Sequence, residues 1–126
     1  MSDSPFSGLF GKEALRPLTP RERDLLAALL RPSFPGRRDL IEQISGLQVI
    51  SIDDDGSLKL VPREGAAASV TRRIPVEAEV EDEDGVMIHV LFHVLDGRLN
   101  ELEIFRDDSA GVLHPIDPDT LRHIVL

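Results

Sequence analysis

The 126-residue sequence has no cysteine, no tryptophan and no tyrosine, and its aromatic side chains are five phenylalanines. Without cysteine there is no disulfide, no zinc–thiolate centre and no thiol nucleophile. Gly8, Gly11 and Gly36 stand isolated, so no glycine-rich phosphate loop is present. No Gly-x-Ser-x-Gly elbow occurs either. Ser45, Ser51, Ser57 and Ser109 all adjoin turn residues, where hydrogen bonding to the local backbone accounts for serine. No apolar run reaches membrane-spanning length, and the first residues lack the basic-then-apolar layout of a signal peptide. The expectation is a cytoplasmic protein without a membrane partner.

Basic charge is also scarce. The chain carries 14 Lys and Arg against 23 Asp and Glu, a formal net charge of −9. The deficit is uneven. Residues 1–45 hold seven basic and six acidic side chains, and residues 46–126 hold seven and seventeen. An acidic body repels phosphate backbones, which argues against nucleic acid as a partner. It suits solubility, or a surface that meets a basic partner protein.

The length fits one domain able to bury a core without staples. Residues 1–15 are expected to form an irregular N-terminal arm, in which Phe6 and Phe10 are candidates for docking on the chain's own body or on another subunit; residues 16–126 are expected to form a single α+β domain. Thr19-Pro20-Arg21-Glu22 opens a helix with a capping box and proline at its first position. Leu25, Leu26, Leu29 and Leu30 make its apolar stripe, and Pro32 ends it. A second, shorter helix is predicted over Arg37–Ser45, burying Leu40, Ile41 and Ile44, with Gly46 at its end. Leu47–Asp53 and Ser57–Val61 read as a hairpin around Asp53-Asp54-Asp55-Gly56. That acidic loop does not bind calcium in the helix–loop–helix manner, since Pro62 falls where the bidentate carboxylate is needed. Val70–Ile74 is a short strand or a lead-in to the next segment. Asp117-Pro118-Asp119-Thr120 predicts one helical turn before a short strand, Arg122–Val125.

The chain is organised around Pro75–Asp108, three runs with the strand period of two separated by Asp84-Gly85 and Asp96-Gly97. A three-residue turn with a bulge at Gly85 pairs Ala78 with Val90 and Glu79 with His89, keeping apolar opposite apolar; a two-residue turn pairs Glu79 with Val90. At Gly97 the three-residue choice sets Leu91 opposite Glu101 and His89 opposite Glu103, and a two-residue turn sets Leu91 opposite Leu102. The first choice gives one apolar face and one polar face carrying Glu77, Glu79, His89, His93, Glu101 and Glu103. His89 and His93 share a face but lie about 13 Å apart along a strand, too far to hold one ion together. A single-histidine set of Glu79, His89 and Glu103 is the geometrically possible metal site, suited to zinc or manganese. The ordinary expectation for such Glu–His rows is a solvated sheet surface with no metal and no cofactor. His114 and His123 are expected at the surface.

Several phrases carry a resemblance: RPLTPRE (Arg16–Glu22), FPGR (Phe34–Arg37), GSLKL (Gly56–Leu60), PVEAE (Pro75–Glu79), DGVMIHVLFHVLDG (Asp84–Gly97) and ELEIFRDD (Glu101–Asp108). Together they resemble a family of small bacterial proteins catalogued as a domain of unknown function, over roughly Arg16 to Leu121. The resemblance implies an α+β domain and transfers no site. The expected architecture is an N-terminal helical hairpin packed on one face of a mostly antiparallel sheet of five to six strands. The expected function is a non-enzymatic interaction module with no catalytic residues, binding a protein partner or a second copy of itself; an immunity- or antitoxin-like role is a special case. The alternative is a metal-binding protein or enzyme built on the Glu/His face.

Overall fold

A computed structural model describes residues 15–126. The expected arm lies outside the described residues apart from Leu15, and with it Phe6 and Phe10. Seven strands form one sheet: β1 (Arg16–Pro17), β2 (Gln48–Ser51), β3 (Leu58–Val61), β4 (Val76–Glu81), β5 (Met87–Leu95), β6 (Arg98–Arg106) and β7 (Arg122–Val125). Their spatial order is β1-β2-β3-β6-β5-β4-β7, and every neighbouring pair is antiparallel. Two helices, α1 (Pro20–Leu29) and α2 (Arg37–Gln43), complete the architecture, and Pro118–Thr120 makes a single 3₁₀ turn before β7. The α+β class is as expected. The strand count exceeds five to six because β1 has two residues, too few to show any period. Val70–Ile74 is not a strand. Arg73 O accepts the Val94 N–H at 2.7 Å, but Pro75 has no N–H to continue a ladder.

Helix α1 begins as its sequence dictates. Thr19 Oγ accepts the Glu22 N–H, Glu22 accepts the Thr19 N–H, and Pro20 occupies the first turn. Arg16 reaches across from β1 to form two 2.8 Å bonds with the Glu22 carboxylate, which holds that carboxyl below its ordinary range. Leu25, Leu26 and Leu29 turn inward. The expected helical hairpin is corrected: α1 lies over β4 and the 3₁₀ turn, α2 lies over β6, and the two helices do not pack along each other. Phe34, on the connection between them, fills the intervening space against Phe92, ring centroids 6.1 Å apart.

In α2 the buried positions are Leu40, Gln43 and Ile44, and Ile41 faces solvent at 37% exposure. The polar residue displaces the expected isoleucine because the backbone around it needs partners. Gln43 Nε2 donates to Ala66 O (2.8 Å) and Gly97 O (2.9 Å), and its Oε1 accepts the Leu99 N–H (2.9 Å). One fully buried amide thus ties α2 to the loop before β4 and to the β5–β6 turn. Replacing Gln43 by leucine keeps the volume but orphans these groups, the buried Leu99 N–H above all. Such a loss costs about 1–3 kcal/mol, and urea denaturation should show it as a lowered midpoint at unchanged slope.

Strand β4 meets β5 in the expected register, Ala78 opposite Val90 and Glu79 opposite His89. The second hairpin follows neither expected register along its whole length. Asp96 and Gly97 both have positive φ (52° and 77°), as a two-residue turn matching the strand twist requires. This sets Leu95 opposite Arg98 and Val94 opposite Leu99. A bulge between His93 and Val94 then shifts the pairing, so that His93 faces Glu101, Leu91 faces Glu103 and His89 faces Phe105. The extra residue lets Leu99 point to the same side as Leu102 and Ile104, and all three are buried. That side of the sheet, with Val76, Val90 and Phe92 fully buried, faces the helices and holds the core. Across its far end runs the segment from Asp107 to Leu121, which packs Val112, Ile116 and Leu121 on the core.

Candidate functional site

Among the described residues, no helix lies over the other side of the sheet. The strand period and the two registers place Glu77, Glu79, His89, His93, Glu101 and Glu103 together there, all half-buried by one another. The surface also contains residues the sequence reading did not single out. Lys59 of β3 stands opposite Glu101, and Arg122 and Ile124 of β7 stand opposite Glu79 and Glu77. Met87, Leu91 and Phe105 supply apolar area between the charges. Their parity was visible, but the β7–β4 pairing that brings in Arg122 spans more than forty residues and leaves no local signal.

Specific bonds divide the polar residues into small groups. Arg122 donates to Glu79 at 3.0 Å. His89 bonds through Nε2 to Asp107, and its ring stacks on Phe105 with centroids 5.0 Å apart. His93 Nε2 bonds to Glu103 at 2.8 Å, and Arg73 Nε points at His93 Nδ1 from 3.4 Å. Glu79, His89 and Glu103, the trio considered for a metal, therefore have three different partners. The ligand atoms that do converge belong to His93, Glu101 and Glu103, within 4.8 Å of one another. The bulge creates this trio by moving Glu101 opposite His93.

The contacts around that trio give each ring nitrogen of His93 a hydrogen-bond partner. A guanidinium has only donors, so the ring nitrogen facing Arg73 carries a lone pair and the ring proton sits on Nε2, donated to Glu103. Metal-ligating histidines instead give their second N–H to an acceptor, which fixes the ring and raises its basicity. Arg73 supplies the opposite, together with a positive charge. Added zinc or manganese should leave the melting temperature unchanged, since an ion that binds the folded state selectively raises it.

A second polar cluster lies at the edge of the core. Arg106 is 4% exposed and the Asp82 side chain is fully buried. Arg106 bonds Asp108 through both oxygens (3.0 and 2.7 Å), Asp84 through both oxygens (3.1 and 2.9 Å), and Asp82 at 2.9 Å. These carboxylates raise the guanidinium further above its ordinary value. Burial by itself would push the Asp82 carboxyl up. The N–H groups of Leu113 and Glu83, with Arg106, outweigh it and hold that carboxyl below its ordinary range. Arg106 holds Asp108 down to about 2, helped by the Ala110 N–H. Every donor of this arginine is consumed by structure: it fastens the β4–β5 turn, the end of β6 and the segment after it. No donor of Arg106 is left for a substrate.

On the core side, a half-open cleft of about 370 Å³ lies between the start of α1 and the 112–116 segment. Its apolar lining includes Leu25, Leu102 and Ile104, and its charged lining includes Arg21, Glu22, Asp54 and Asp55. Charges of both signs in the lining make no convergent set for a charged substrate. No helix among the described residues is long and apolar enough to cross a membrane.

Neither the curated proteins nor the solved structures include a significant match to this chain. A family profile does match, over residues 15–115, which contain β1 to β6, both helices and the Arg106 cluster. The chain belongs to the family described as Domain of unknown function (DUF6984).

Proposed function

We propose that this chain is a non-enzymatic interaction module that offers the uncovered face of its sheet to a basic partner protein. The observation that carries it is the composition of that face: Glu77, Glu79, Glu81, Glu101 and Glu103 lie among Met87, Leu91 and Phe105, with Lys59, Arg73 and Arg122 as the cations there. Apolar area amid one predominant charge sign supplies both contact energy and steering toward the opposite charge. The histidines serve this surface as hydrogen-bonded spacers. An immunity- or antitoxin-like role, in which an acidic protein covers a basic one, is the special case this surface suits.

The test is capture from lysate at low and high salt. A variant with Glu77 and Glu81 changed to lysine and Glu101 to glutamine serves as the comparison, since none of the three makes a side-chain bond among the described residues and glutamine sets no like charge against Lys59. The wild type should retain a basic protein at low salt and release it at high salt, and the variant should retain none at equal melting temperature. Equal capture by both proteins, or no salt-sensitive partner, would remove this reading.

A further inference from the structure

The two ends of the sheet differ. At one end β1 is two residues long and closes with Pro17, which has no N–H to offer. At the other end β7 has no proline, no bulge and no carboxylate, and Ile124, Val125 and Leu126 are exposed at 42%, 50% and 47%. Leu126 N–H donates to Pro75 O at 2.9 Å, which fixes the phase of the β4–β7 ladder. By the alternation of an antiparallel pair, Arg122 and Ile124 turn their backbone groups toward β4. His123 and Val125 then turn their N–H and C=O groups outward, away from the sheet. Among the described residues these groups have no partner, and an apolar strand edge with unpaired donors and acceptors is a template for another strand.

We infer that β7 pairs antiparallel with β7 of a second copy of this chain, across a twofold axis at Ile124, joining two sheets into one. In this register His123 pairs with Val125 of the copy and Val125 with its His123, which makes four main-chain hydrogen bonds. Ile124 meets its own copy, and Arg122 lies beside the copy's Leu126. The occupant is a second copy for two reasons. The strand has no acidic side chain of its own, and its Arg122 is bonded to Glu79 and its His123 to Ala28 O, so two chains of net charge −9 meet here without opposing carboxylate side chains. The pattern is also its own complement, and the β1 end is too short and proline-blocked to receive β7, so association closes as a pair. A four-residue edge covers far less than the roughly 1,200 Å² of a stable complex, so the dimer is weak and concentration-dependent.

This inference is independent of the acidic face. Sedimentation velocity from about 10 µM to about 1 mM tests it over the affinities expected of so small an interface. The wild type should move from the 13.9 kDa chain mass toward twice that value. Val125→Pro removes one outward N–H and none of the bonds to β4. Ile124→Lys sets a positive charge against its copy at a position already exposed, where Glu77 stands opposite within the chain. Each variant should dimerise at least tenfold more weakly while melting with the wild type. A wild type that stays monomeric throughout, or an Ile124→Lys protein that dimerises as well as the wild type, overturns the inference. If Val125→Pro perturbs folding, Ile124→Lys alone decides.

Discussion

Replacing Arg106 by methionine should lower the melting temperature by roughly 10 °C or more, the loss expected when a buried charge pair is broken from one side. The variant keeps the length of the side chain and removes the positive charge that Asp82, Asp84 and Asp108 surround. Asp82 is then a buried carboxylate with two amide N–H partners and no counter-ion. The effect on acid stability separates this account from simple loss of packing. In the wild type the Asp108 carboxyl sits at about 2, below the ordinary value of 3.8. A depressed carboxyl contributes stability that is complete above the unfolded value and is lost as pH falls through the folded one. The wild type should therefore lose stability between about pH 4 and pH 2, and Asp82 adds to the same trend. With methionine at 106 the main cause of the Asp108 shift is gone, so that slope should flatten. Adding Asp82→Asn to the methionine variant should recover part of the loss at neutral pH. A neutral amide needs no counter-ion and its oxygen still accepts the Leu113 N–H, while its NH2 group replaces the oxygen that accepted the Glu83 N–H and limits the recovery. A double variant no more stable than the single one would show that the damage comes from lost packing and not from the orphaned charge.

The Arg106 cluster shows what was legible in the sequence and why some of it was passed over. Arg106 shares the parity of Leu102 and Ile104, the buried side of β6, so alternation alone placed a charge in the core. Its partners come from the β4–β5 turn and from beyond β6. Those acidic residues look like ordinary solvated turn chemistry until the hairpin brings them together. Leu99 carried a similar signal. It lies out of phase with Leu102, so for both to be buried one extra residue had to be absorbed, and the bulge at His93/Val94 does that. Neither a two-residue nor a three-residue turn alone could satisfy both leucines. The faces themselves were readable because alternation is a local property. Helix α1 was equally plain, since its cap, proline and apolar stripe are all written within twelve residues. The separation of α1 from α2 was not, because it depends on the width of the sheet beneath them. The trio His93, Glu101 and Glu103 depended on the bulge, and Arg122 depended on which edge received the last strand. Both are set by long-range pairing.

Changing Gly97 to alanine should cost about 2–4 kcal/mol, combining the strain of a left-handed residue with overpacking. Two separate constraints fall on this position. Its φ is +77°, the second positive-φ residue of the β5–β6 turn, where a side chain is strained. A Cβ would also lie 2.6 Å from Ala68 O and 2.9 Å from Ala68 N, both backbone atoms of the loop before β4. That loop cannot simply retreat. Ala68 N–H donates to Gly97 O at 2.8 Å, and Gln43 donates to the same oxygen. The β4–β5 turn offers a matched control. Gly85 has a similar φ of +86°, but a Cβ there would meet nothing within 4 Å. Gly85→Ala should therefore show the strain alone, about 1 kcal/mol, and the difference between the two variants isolates the clamp on Gly97. Denaturant midpoints for both variants measure that difference. Equal losses would mean that the loop yields freely, and then the bonds from Ala68 and Gln43 do little to hold the turn. A larger loss at Gly97 would place the turn, the loop and α2 in one cooperative unit. In that case Gly97→Ala and Gln43→Leu should combine less than additively, because the first already disrupts the oxygen to which the second removes a bond.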